Sequence, residues 1–224
     1  MGVLDYVSQH SDTLLPQALT QVRIVLVTVI LSVASGLPLG VLAARWDRFG
    51  EFIMGLASVV LTIPSFALFN LISLALILLN PTIAFGDPPT IIGLVLYAQL
   101  PIIRNVRTGL QAVNPAVIEA ANGMGMRPTQ TMLRVELPLA LPVIIGGIRQ
   151  ATVMVTAIAT VGAALSSNNL GRTILDAVGS STPNANAILA GVLGVAAIGV
   201  AADALLALIQ RLISRGRITA AAAT

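Results

Sequence analysis

The chain has 224 residues, of which 56% are hydrophobic and only 9% charged, with a net charge of +3 and a mean hydropathy of +0.94. Ordinary soluble domains are about 25% charged, so this composition excludes them and points to an integral membrane protein; the basic residues are scattered, which excludes a nucleic-acid patch. All twelve basic residues are arginine, cysteine is absent and His10 is the sole histidine, which excludes a P-loop ATPase, a disulfide framework and a histidine- or thiolate-built metal centre.

Residues 1–22 carry Asp5 and Asp12 but no basic residue, so they lack the positive start of a cleavable signal peptide. The first span is expected at 24–44, a charge-free run between Arg23 and Arg45 long enough to cross the hydrocarbon core. Gly36, Pro38 and Gly40 are expected to loosen its second half. After the loop of Arg45, Asp47, Arg48 and Glu51, residues 52–86 are uncharged. They exceed one crossing and are short for two. One helix over 52–79, kinked near Pro64, is the expectation, with a re-entrant second half as the alternative. A loop through Asn80, Pro81, Asp87, Pro88 and Pro89 then leads to a third span at 90–110. Arg104 and Arg107 lie at its end, where arginines snorkel. The fourth span is expected at 138–165, followed by a polar stretch (166–187) with a short helix over Leu170–Val178. The fifth covers 188–212 and leads into the tail RGRITAAAAT. The reading is one all-α membrane domain, 1–224, without internal repeat.

Five spans put the termini on opposite sides. With the N-terminus outside, Arg45, Arg48, Arg104, Arg107, Arg127, Arg134, Arg211, Arg215 and Arg217 fall inside. Only Arg172 falls outside, with Arg23 at the margin. The positive-inside rule favours that orientation and puts residues 114–137 in the cytoplasm.

This segment reads NPAVIEAANGMGMRPTQTMLRVEL. Asn114 and Pro115 make a sound helix start, and twelve helical residues would run about 18 Å. Ala120 and Ala121 keep the surface low, Gly125 lets the chain reverse, and a second short helix is expected at Thr129–Val135 before Pro138 starts the fourth span. On these grounds alone an ordinary cytoplasmic loop with a capped helix is an equally good reading.

The spacing goes further. Glu119-Ala120-Ala121, three residues, Gly125, nine residues, then Val135-Glu136-Leu137-Pro138 resembles the EAA motif of ABC importer permeases, with Val for Ile as the one departure. The resemblance implies a type I importer permease fold in a bacterial inner membrane, with 114–125 as a coupling helix seated in a separate ATP-binding subunit. Glu119, Ala120, Ala121, Gly125, Leu137 and Pro138 would be the coupling residues. It further implies a second permease subunit (self or paralogue), an extracytoplasmic substrate-binding protein, and ATP and Mg held by the partner rather than by this chain. The phrases LTIPSFALFNL, LYAQLPIIRNVRTGLQAVNPAVIEAANGMGM and VELPLALPVIIGGIRQATV are similar to permeases for glycine betaine, choline, carnitine and proline betaine. Methionine-importer permeases are the nearest competitor. The compatible-solute branch commonly shows G-x-G-G-L-G-x-x-I after the fourth span, whereas Ser167-Asn168-Asn169-Leu170-Gly171-Arg172-Thr173-Ile174 keeps only the second half. An outer gate at Leu170, Gly171 and Ile174 is therefore of altered geometry.

Inside the spans, Arg149 lies about 16 Å into the fourth helix, and Asp203 about 12 Å in from the same side. They are expected to meet as an ion pair, either structural or on the pathway, since intramembrane charges are a functional hypothesis by default. Pro64, Ser65 and Asn70 line the pathway or pack the second span. Thr152, Thr156 and Thr160 form a stripe that lines a pore or bonds its own backbone. With eight aromatics in the chain, a high-affinity aromatic cage for a quaternary ammonium is not expected here. The rival class is an autonomous channel or ion-driven carrier, which needs no ATPase.

Overall fold

The computed structural model describes residues 2–221, with side chains through residue 213; Arg215, Arg217 and the rest of the terminal tail's side chains lie outside the described residues. Its elements are α1 (Val3–Gln9), α2 (Ser11–Arg45), α3 (Asp47–Thr62), α4 (Ser65–Leu79), α5 (Asp87–Gln111), α6 (Pro115–Gly123), α7 (Pro128–Thr131), α8 (Leu137–Ile158), α9 (Leu170–Gly179) and α10 (Ala185–Ala221). Short 3₁₀ segments occupy Pro81–Ile83 and Ala159–Leu165, and a π-turn occupies Met132–Glu136. Four stretches are long and apolar enough to cross a membrane, and counting α3 with α4 gives five.

The first span is not confined to 24–44. α2 runs 35 residues, about 52 Å at 1.5 Å per residue, against a hydrocarbon core of about 30 Å. Its polar first turns are held by packing. Gln17 accepts a hydrogen bond from Thr173 Oγ1 (2.6 Å), and Gln21 Nε2 donates to the Thr156 carbonyl (2.8 Å). Nor do Gly36, Pro38 and Gly40 interrupt the helix. The glycines instead bring α2 against α5: a Cβ at Gly40 would lie 2.5 Å from Val106 Cβ, and one at Gly36 2.8 Å from Ile102 Cγ2.

The kink near Pro64 is a full break. α3 and α4 meet at 103°, with Ile63 and Pro64 both in extended backbone, as the residue before a proline prefers. The Ile63 carbonyl freed by the break accepts the Tyr97 hydroxyl at 2.5 Å, which satisfies it inside an apolar environment. Two short helices therefore replace the single helix expected over 52–79.

α5 starts on Asp87, and Pro88 and Pro89 occupy its first turn, where missing N–H groups cost nothing. It forms the axis of the core. Leu94, Tyr97, Ala98, Ile102 and Val106 pack with Ile24 and Val25 of α2, Phe69 of α4, and Ile144 and Val155 of α8.

The second short helix expected at Thr129–Val135 is not separate. Residues 128–165 form one continuous helical column. Pro138 has no N–H to give, and just ahead of it the turn widens so that Leu137 N–H reaches Met132 O. Pro138 thus sits within the column rather than starting it. No strand occurs among the described residues.

The α2–α5 contact yields a direct test. Gly40→Ala should destabilise the purified protein by about 1–3 kcal/mol through overpacking, read as a lower thermal midpoint in detergent, and adding V106A should recover most of the loss. A Gly40→Ala protein as stable as the parent would contradict this packing.

Candidate functional site: an exposed helix and the spans it joins

α6 is a nine-residue helix with both ends defined by sequence. Asn114 Oδ1 accepts from Ala116 N–H at 3.0 Å, and Pro115 fills the first helical position. At the other end Met124 N–H returns to Ala120 O (3.0 Å) and Met126 N–H to Ala121 O (3.2 Å). Gly125 closes the turn at φ +79° with open space around it, a conformation that glycine adopts without strain.

Glu119 and Ala120 face out, Val117 is partly exposed and Met124 is 76% exposed. Ala121 does not join them. One residue further round the helix it is 2% exposed, so its methyl group faces inward and does not shape the outer surface. Thr131 Oγ1 donates to Asn122 Oδ1 (3.3 Å), which fastens α6 to the start of the next column. Leu137 and Pro138 are half-buried in that column.

Of the residues inside the spans, Arg149 and Asp203 are brought together. Nε and Nη2 of Arg149 donate to the two carboxylate oxygens of Asp203 at 2.9 and 2.8 Å, a bidentate arrangement. Arg149 Nη1 donates to Gln210 Oε1 (2.9 Å), and Gln210 Nε2 donates to the Pro142 carbonyl (2.7 Å). The pair stays about one-third exposed in the single chain. It borders an open groove of about 490 Å³ with Gly146, Gln150, Val153 and Met154.

The other groups divide. Thr152 and Thr156 are buried at 3% and 1%, and their hydroxyls donate to Ile148 and Thr152 carbonyls at 2.8 and 2.7 Å. Their stripe therefore points into the subunit. Thr160 Oγ1 donates to Ala157 O at 2.8 Å. Pro64 and Ser65 stand at the α3–α4 break, while Asn70 is exposed and its amide donates to Phe66 O (2.7 Å).

At the far end of the bundle, α9 starts at Leu170, which is 2% exposed. A Cβ on Gly171 would collide with the Thr160 carbonyl, and Ile174 packs on Gly191 of α10. Gly171 and Ile174 line a small apolar cavity of about 260 Å³ with Phe66, Thr160, Val161 and Ala164. The residues just ahead of Leu170 are structured. Asn169, fully buried, donates to Ala159 O (2.9 Å) and accepts from Gly171 N–H (2.8 Å). Ser167 donates to Asp87 (2.6 Å), whose carboxylate also pairs with Arg23. Ser166 alone among the described non-glycine residues has positive φ, +70°. Sequence reasoning missed this knot and the partner role of Gln210, because their bonds span 80 and 61 residues of chain. The spacing of Gln17 and Gln21, polar residues four apart on a helix, was the available signal for a buried N-terminal stretch of α2.

An all-helical, multi-pass membrane subunit with one capped, exposed helix between its third and fourth spans defines the class. The chain belongs to the family described as binding-protein-dependent transport system inner membrane component, whose model matches residues 36–215. Among its relatives are the choline transport system permease protein OpuBB of Bacillus subtilis, 32% identical over 93% of this chain and 92% of that protein, and the osmoprotectant import permease protein OsmW of Salmonella typhimurium, 34% identical over 94% and 96%. A chain of the MetNI methionine ABC transporter in an inward-facing form superposes with a TM-score of 0.78, covering 92% of this chain and 98% of its own, at 20% identity. A chain of an amino acid ABC transporter superposes at 0.70 and 19% identity, covering 96% and 98%. These structures share the fold, that of type I ABC importer permeases. The chain is thus a permease subunit, one component of a multi-component transport system of the inner membrane.

The ion pair carries its own prediction. D203N and R149Q should each lower the thermal midpoint more than the two together, because one substitution strands a charge in the membrane; the coupling is expected at roughly 0.5–3 kcal/mol. Losses that add in the double variant would mean that the two side chains do not depend on each other.

Proposed function

We propose that this chain is the permease of an ATP-driven importer for compatible solutes such as glycine betaine, choline, carnitine or proline betaine. A second permease subunit, two ATP-binding subunits and an extracytoplasmic binding protein complete it. The observation that carries the reading is α6. It presents Glu119 and Ala120 outward, turns on a left-handed Gly125, and is fastened at Thr131 to the column of the fourth span. That is what a lever needs: an accessible contact surface at one end and a rigid connection at the other. The substrate class follows relatives named for choline and for osmoprotectants at 32–34% identity.

In this reading α6 seats in the ATPase, with Glu119 as its polar contact and Gly125 setting the angle of exit. ATP and Mg belong to that partner. Nucleotide binding draws two copies of α6 together and turns the path outward, and hydrolysis returns it inward. The N-terminus lies outside. Arg45, Arg48, Arg104, Arg107, Arg127 and Arg134 support this, being at the α6 end, while Arg172 is at the other. The Arg149–Asp203 face of α8 and α10 is read as part of the path or of the contact with the second permease. A one-third-exposed ion pair on a span is costly against lipid.

Two measurements test it. Vesicles containing the chain with its ATPase and binding protein should take up at least one labelled quaternary ammonium solute on ATP addition; uptake of methionine alone would overturn the substrate class. Glu119→Ala and Gly125→Val should each reduce co-purification of the ATPase by about tenfold or more, while an unchanged yield would remove α6 as the docking element.

A further inference from the structure

Glu136 is, among the described residues, the one charged residue that is buried, at 5% exposure. It accepts two hydrogen bonds from Arg45 Nη2, at 2.8 and 3.1 Å. Arg45 is the last residue of α2, and Glu136 the last of the π-turn that joins the α6–α7 segment to the fourth span. The pair spans 91 residues of sequence. Beside it, α2 and residues 128–133 are parted by an open groove of about 540 Å³, lined by Val41, Arg45, Pro128, Thr129, Met132 and Leu133. The ion pair borders this groove, and Arg45 Nη2 also lies 3.9 Å from Met132 Sδ on its other wall.

Stability alone is a poor reason for such a pair. Burying the Glu136 carboxylate offsets much of the attraction, and Arg45, whose side chain stays 45% exposed, attracts it from a partly solvated position where ion pairs contribute little. The local geometry is specific as well. A π-turn rotates the residues that follow it relative to a continuous α-helix, and such turns concentrate at functional sites; here the turn ends with Glu136 turned inward to the end of α2. On one side the pair connects to α6 through Thr131, itself 2% exposed and bonded to Asn122. On the other side it connects to the α2–α3 corner. That corner is gripped a second time by Asp47, which takes a hydrogen bond from Arg107 of α5 at 3.0 Å.

We propose that Arg45 and Glu136 form a strut that transmits displacement of the α6 segment to the first span, so that α2 moves with the fourth span when the ATPase moves α6. Both are positioning residues: Glu136 faces inward, away from any docked partner. The proposal rests on the ATPase-docking reading of α6.

The test uses the whole transporter in vesicles, measuring ATP hydrolysis together with uptake of labelled glycine betaine or choline, whichever the unaltered complex imports. Solute moved per ATP is the deciding quantity, because a contact that serves folding alone lowers both activities in proportion. E136Q and R45Q should keep the ATPase bound and hydrolysing within about twofold, while solute per ATP falls by about tenfold. The double variant should be no worse than either single one, and the swap R45E with E136R should recover most of the ratio. Unchanged solute per ATP, proportional loss of both activities, or additive losses would overturn the strut. A second measurement covers any variant that fails to fold. The chain has no native cysteine, so R45C with E136C can be bridged by a short bifunctional thiol reagent; bridging should raise solute per ATP, and no rise overturns the proposal. The unaltered complex separates the two failures. If it neither retains an ATPase nor imports on ATP, the docking reading falls and the strut with it; if it does both and the variants behave otherwise than expected, the strut alone falls.

Discussion

Lipid tails compete equally well for apolar side chains, so helices in a bilayer hold together by how closely their backbones approach. In this chain that approach is centred on α5. Where α2 crosses it, Gly36 and Gly40 meet Ile102 and Val106; where α8 crosses it, Gly147 meets Asn105. The 3₁₀ end of the fourth column brings Gly162 onto Thr90, and α5 itself offers Gly93 to Phe69 of α4. Each contact leaves no room for a Cβ. The consequence is a third span buried on several sides, with α2, α8 and the broken α3–α4 pair arranged around it. α10, by contrast, is held to the bundle by its contacts with α8 and α9 and leaves large apolar side chains such as Leu193, Val200 and Leu205 uncovered.

The long apolar runs fall in long apolar helices or, over 52–79, in a broken pair of them, because charge in hydrocarbon is costly enough to be sparse there. Their ends were less legible. α2 extends thirteen residues above its expected start, because Gln17 and Gln21 find partners on α9 and α8, and a polar side chain with a buried partner is indistinguishable in sequence from one in water. Pro64 marked the break but not its 103° angle, which depends on a hydroxyl from Tyr97, 34 residues away, to satisfy the exposed carbonyl. Depth arithmetic brought Arg149 and Asp203 to one level, since both counts start from fixed points on straight helices. It could not find Gln210, whose bonds run to Arg149 and to Pro142.

The exposed helix was the most legible feature. Asn114, Pro115 and Gly125 are local signals, and local signals survive without knowledge of the fold. What lay beyond reach was which way each side chain of that segment faces. Ala121 was grouped with Ala120 and is buried, because adjacent helical residues differ by about 100°. Glu136 passed as the variable position of the motif, because a π-turn, which nothing in the sequence announces, sets the direction in which it points.

The two ends of the bundle are secured by different chemistry. At the α6 end, Arg45–Glu136 and Arg107–Asp47 tie the α2–α3 corner to the fourth span and to α5. At the other end, Asp87 gathers Arg23 and Ser167, and Asn169 pins the start of α9 to the end of the fourth column. Both sets reach the same two bodies, α2 and the 128–165 column. That column is helical throughout, with a π-turn ahead of Pro138 and the Pro142 carbonyl held by Gln210, and under the proposed function it carries a displacement entering at α6. The displacement passes along the column, to α2 at the α6 end and to α9 at the other. In that reading Ser167 and Asn169 have a mechanical part as well: their bonds to Asp87 and to the Ala159 carbonyl make the joint between the column and α9 a bonded one, the counterpart of the tie at the α6 end.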